Sequence, residues 1–206
     1  MSKWALTGLA IRIGEGGLQF PDVKYKKKDI TRQEAMGFLY AKISMFPEKF
    51  VGEGNLKKLY AEMEDLYPGL AEEVIQRQLS EDPENVALLL STAGYYGKLE
   101  RYSEAIGLYD KVVLIDASDP GTLNNLAWIL VTVPDKTLRD PQRAITLAEK
   151  AVAIERSANI LDTLAEAYYV AGLFQKAIET INEAIVLDPE REYFKEQLEK
   201  FSAAML

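Results

Sequence analysis

The sequence contains neither cysteine nor histidine. Without cysteine there is no disulfide framework, no thiolate nucleophile and no zinc–thiolate site. Without histidine there is no Ser-His-Asp or Cys-His catalysis, no imidazole metal ligand, and no side chain of ordinary pKa that titrates near neutrality. A catalyst built from this chain would run on carboxylates, lysines, tyrosines or serines alone. Long apolar runs are absent too. The most apolar stretch, "KWALTGLAIRI" (3–13), falls well short of the ~20 residues needed to span a bilayer and lacks a small-residue signal-cleavage site. Glycine-rich phosphate loops are missing: "GEGG" (14–17) and "GEG" (52–54) lack the spacing and the trailing Lys-Ser/Thr. "DASDP" (116–120) is not followed by a twelve-residue calcium-loop pattern. Carboxylate pairs such as Glu72/Glu73 and Glu62/Asp65 read as solvated helix faces. The sequence therefore predicts no catalytic residue, no metal site and no cofactor.

What is present is an ordinary folded composition, 48% apolar and 27% charged over 206 residues, with a net charge of −8. The charge is uneven. Residues 1–50 carry nine Lys/Arg against five Asp/Glu, whereas residues 51–206 carry fifteen against twenty-seven. The acidic majority argues against nucleic acid as a partner. The head, residues 1–50, combines the apolar stretch, expected to be a short helix or strand, with the cluster Lys24, Lys26, Lys27 and Lys28. It then enters one helix through the capping box "TRQE" (31–34) and leaves it at Pro47. That cluster is a candidate contact for a membrane surface or an acidic partner. Residues 1–28 could also tether the chain to a bilayer or fill a neighbouring copy's surface. A cytoplasmic, soluble setting is slightly favoured, with membrane association as the alternative.

The remainder rhymes with itself. Ala105 in "RYSEAIGLYDKVVLID", Ala144 in "DPQRAITLAEKAVAIE" and Ala177 in "LFQKAIETINEAIVLD" share a context, with Val112, Ala151 and Ala184 seven residues on. Each block follows another helical stretch, "VALLLSTAGYYGK", "GTLNNLAWILVT" or "NILDTLAEAYYVAG". Helix, turn, helix at a period near 34 resembles the tetratricopeptide repeat (TPR) family. Repeat one would span 86–119, repeat two 120–157 and repeat three 158–191. In repeat three the residues at consensus positions 4, 7, 8, 11, 17, 20, 24, 27 and 32 are Leu161, Leu164, Ala165, Tyr168, Phe174, Ala177, Ile181, Ala184 and Pro189. Repeat one departs at Thr92 and Ala117, where leucine and proline are usual. Repeat two lengthens its turn by about five residues, "VPDKTLRDP" (133–141), before Asp140 and Pro141 restart the helix. Residues 51–83 resemble a degenerate leading hairpin, and 190–204 an amphipathic capping helix with Tyr193, Phe194, Leu198 and Phe201 on one side. The expected architecture is all-α, a TPR-type right-handed solenoid over 84–206 with an extra N-terminal segment.

The resemblance implies a scaffold or assembly adaptor that binds a peptide or partner helix of another protein in its concave groove. On repeat two the positions opposite the buried Leu123, Leu126, Ala127 and Leu130 are Asn124, Asn125 and Trp128. An amide can clamp a peptide backbone, and a tryptophan is a strong interface anchor. On repeat three the equivalent groove positions include Asn159, Asp162, Glu166 and Tyr169. The competing reading has Trp128 packed under the long turn and Asn124 bonded to it. Chaperone-binding members of the family hold a C-terminal carboxylate with a clamp of cations and asparagines. Here Asn125 matches one clamp position, but Leu90, Gly94, Asn159 and Thr163 occupy the others, so the clamp is excluded.

Overall fold

The computed structural model describes residues 12–14, 17–19 and 69–205. It divides into two units, residues 1–83 and 84–206.

In the first unit, strands β1 (Arg12–Gly14) and β2 (Gly17–Gln19) form an antiparallel pair in the register Arg12↔Gln19, Ile13↔Leu18, Gly14↔Gly17. Only Glu15 and Gly16 separate the strands in sequence, the spacing of a tight hairpin. The pair resolves the helix-or-strand alternative for part of the head in favour of strand, a small exception to an all-α chain. Helix α1 (Leu70–Glu81) follows Gly69, whose φ of 79° needs a residue without Cβ. Ala71, Val74, Ile75 and Gln78 make its buried face. The helix expected after Thr31, the lysine cluster and the first helix of the 51–83 hairpin lie outside the described residues.

The second unit is entirely helical: α2 (Val86–Lys98), α3 (Tyr102–Ile115), α4 (Pro120–Thr132), α5 (Pro141–Ile154), α6 (Ala158–Val170), α7 (Phe174–Leu187) and α8 (Glu192–Ala203). Side chains start several of these helices. Asn85 accepts from the Leu88 N–H at 3.0 Å, Asp119 from Thr122 at 2.7 Å, and Asp140 from Arg143 at 3.0 Å. Pro120 and Pro141 sit where a missing N–H costs nothing.

The helices pair as α2–α3, α4–α5 and α6–α7, and each pair packs on the next. Each pair buries one small alanine on each of its two helices, which leaves room for the helices to approach closely. Ala93 and Ala105, Ala127 and Ala144, and Ala165 and Ala177 are all fully buried. Between pairs, Leu123, Ala151 and Ile160 meet, with Val113, Leu147 and Val152 packed around them, so the core runs on through α3, α4, α5 and α6. Phe194 and Phe201 of α8 are fully buried and close the stack at its end.

The turns inside repeats one and three are one structure made from different residues. Glu100 (φ 59°) and Gly172 (φ 77°) take the left-handed conformation. The next residue's N–H reaches back to a helix carbonyl, Arg101 to Tyr96 at 2.9 Å and Leu173 to Tyr168 at 2.8 Å. Repeat two replaces this turn with its insertion. There Asp135 accepts from the Thr137 N–H and hydroxyl, and residues Lys136–Leu138 make a 3₁₀ turn. The Arg139 Nε then donates to the Val133 carbonyl at 2.7 Å, and the Asp140 N–H to the Leu130 carbonyl at 3.0 Å.

Candidate partner-binding surface

Helix α4 is buried along Thr122, Leu123, Leu126, Ala127, Leu130 and Val131. Successive residues lie about 100° apart around a helix, so the intervening positions emerge on the other side. Asn124 and Asn125 are half-buried there and Trp128 is 37% exposed. Trp128 is not sealed beneath the inserted turn. Its backbone carbonyl accepts from the Thr132 hydroxyl at 2.7 Å, while the indole stays in contact with solvent. The Asn124 Oδ1 is buried and has no hydrogen-bond donor. This face is uncharged. No residue of α4 is ionisable, and Lys98 is the only charged residue of α2.

Of the α6 positions, Asn159 is exposed, while α8 packs against Asp162, Glu166 and Tyr169. The Arg191 guanidinium, just before that helix, donates to the Asn159 side chain at 2.7 Å. The Lys200 Nζ bonds Glu166 at 2.6 Å and lies 4.7 Å from the Tyr169 ring centre. Phe201 packs on the Tyr169 ring with 4.9 Å between centroids. Asp162 is only 8% exposed, takes a hydrogen bond from the Tyr193 hydroxyl, and has its Oδ1 buried without a donor. Burial, and then the charge of Glu166 one turn away, raise the Asp162 carboxyl to about 6, against the opposing pull of Tyr193, Arg191 and Lys200. Burial first, then the Asp162 and Glu166 charges, push the Tyr193 phenol up to about 12, so it remains a donor at all ordinary pH values.

The signal for this arrangement lay in the repeat length. Arg191 and Lys200 stand 32 and 34 residues beyond the partners they hold, so α8 occupies the place of a further repeat's first helix. Among the described residues there is no cluster of acidic side chains able to hold a metal ion, and no helix long and apolar enough to cross a membrane.

No family model matches the sequence, and no curated protein matches it. Solved structures do match. A tetratricopeptide repeat protein from Parabacteroides merdae superposes with a TM-score of 0.63 at 16% identity, over 84% of this chain and 67% of its own. The chain has the TPR fold. TTC0263, a thermophilic TPR protein from Thermus thermophilus, gives a TM-score of 0.56 at 14% identity, over 84% of this chain and 90% of its own. The first TPR of Spaghetti (RPAP3), solved with the HSP90 peptide SRMEEVD bound, gives 0.53 at 23% identity, covering 60% of this chain and 95% of that one. In TPR terms α2, α4 and α6 are the first helices of three repeats, and Asn124, Asn125 and Trp128 belong to the middle one.

Proposed function

We propose that residues 84–206 form a non-catalytic binding module for another protein, and that a peptide or partner helix lies against α4. The observation that carries this reading is the exposed Trp128 beside the half-buried Asn124 and Asn125 on an uncharged helix face. The indole supplies a large anchor for a partner side chain or backbone. Asn125, half-buried on the same face, is included in the site. Asn159, the exposed one of the four α6 positions, is kept in the site, while Asp162, Glu166 and Tyr169, held against α8, fix the C-terminal end of the surface.

The neighbouring RPAP3 domain takes the acidic peptide SRMEEVD. Helices α2, α4 and α6 together supply one cation, Lys98, against the two carboxylates Asp162 and Glu166. The proposed partner segment is therefore uncharged where it meets α4, and SRMEEVD should produce no heat of binding in calorimetry. The decisive comparison is a pull-down from cell lysate with wild type beside an Asn125→Ala/Trp128→Ala variant. A protein retained by wild type and lost by a variant of unchanged melting temperature supports the site. Retention of the same proteins by both would move the search to residues 1–50, where the membrane-tethered and self-associating readings belong.

A further inference from the structure

The ends of the second helices share a feature that the charge of a helix terminus disfavours. Helices α3, α5 and α7 each finish without a basic residue in the last turn, and each has an acidic C-cap: Asp116, Glu155 and Asp188. A helix C-terminus already presents unsatisfied carbonyls with partial negative charge, so a carboxylate there is the unfavourable choice. Beside each carboxylate, apolar side chains are left in water. Leu114 is 87% exposed and Val186 79%, with Ile115, Ile154 and Leu187 between 44% and 51%. Single exposed apolar residues are ordinary on a protein surface. Here Ile115, Ile154 and Leu187 recur immediately before the acid in three successive hairpins, with Leu114 and Val186 one residue earlier in the first and third. Because the hairpins stack in the same orientation, the three helix ends share one edge of the solenoid. Nearby cations only partly offset the acids: Lys150 lies near Asp116, and Arg156 is paired with Glu183. The Ser118 hydroxyl and N–H, at 2.6 and 2.8 Å, hold the Asp116 carboxyl below the usual carboxylate range and therefore charged.

We propose that this edge is a second interaction surface, separate from the face of α4, and that its occupant is a basic amphipathic segment of another protein. The apolar side of that segment covers Leu114, Ile154 and Val186, while its lysines or arginines meet Asp116, Glu155 and Asp188. Charge complementarity selects the occupant. A second copy would set acids against acids, and an anionic lipid surface would be repelled for the same reason.

The test uses the full chain and a labelled helical peptide of about 18 residues, with leucines at i, i+3, i+4 and i+7 and lysines elsewhere. A twin with glutamate in place of lysine is the control. Fluorescence anisotropy should show the lysine peptide binding wild type, and Leu114→Ser/Val186→Ser weakening it by about tenfold or more. Both side chains are solvated, so this variant should melt like wild type. Asn125→Ala/Trp128→Ala should bind the lysine peptide as wild type does. The proposal is overturned if the Leu114→Ser/Val186→Ser variant binds equally well, or if the glutamate peptide binds as tightly. It is also overturned if sedimentation shows a wild-type dimer that the same substitutions dissolve, or if phosphatidylserine vesicles retain wild type and not the variant.

Discussion

Glu100 shows the cost of keeping a turn while changing its residue. At φ 59° its Cβ crowds the backbone, whereas Gly172 adopts the same conformation at the same place in repeat three without that strain. Glu100→Gly should therefore raise stability, by about 0.5–1 kcal/mol, read as a shift of the urea midpoint at constant slope. Thr92 is the second residue at odds with its surroundings. It is fully buried in a position where the repeats elsewhere place leucine, and its hydroxyl has no hydrogen-bond partner. Replacing it with the similarly shaped valine removes an unsatisfied polar group, and Thr92→Val should stabilise by about 1 kcal/mol in the same titration. A loss in that measurement would mean that the hydroxyl has a partner in solution.

Among elements, α8 governs the most chemistry. Its Tyr193 covers Asp162, whose carboxyl sits at about 6 against an ordinary 3.8. The folded chain thus holds that proton more tightly than the unfolded chain. The sign follows directly: no penalty exists below about pH 4, and stability falls as pH rises through 6, by an amount on the order of 2–3 kcal/mol. Asp162→Asn should flatten the decline in melting temperature between about pH 4 and 6 relative to wild type, and an unchanged slope would count against a raised Asp162. The helices of this unit were legible from spacing, caps and prolines, because those signals act within a turn or two of the chain. The burial of Asp162 was not. It depends on Tyr193, which only the register of the stack brings alongside, and local periodicity carries no information about register. The exposure of Trp128 was open for a related reason: whether the inserted turn covers α4 rests on bonds such as Arg139 to Val133, which fold the insertion back on itself.

For the molecule as a whole, stacked hairpins mean that each contact is made with a neighbour near in sequence. Such topologies close short loops first, and residues 84–206 should fold on the microsecond-to-millisecond scale of helical domains, measurable by temperature-jump fluorescence of Trp128. They also raise the question of what stops the stack. A helix with the geometry of α8 is interchangeable, in outline, with the first helix of one more hairpin. The surface beneath Phe194 and Phe201 is therefore a socket that any copy's leading hairpin could approach in its absence. A contact between unlike ends does not close on itself but repeats from copy to copy. Seen this way, α8 is a lid on the last hairpin, its Phe194 and Phe201 covering an apolar end that another hairpin would otherwise cover.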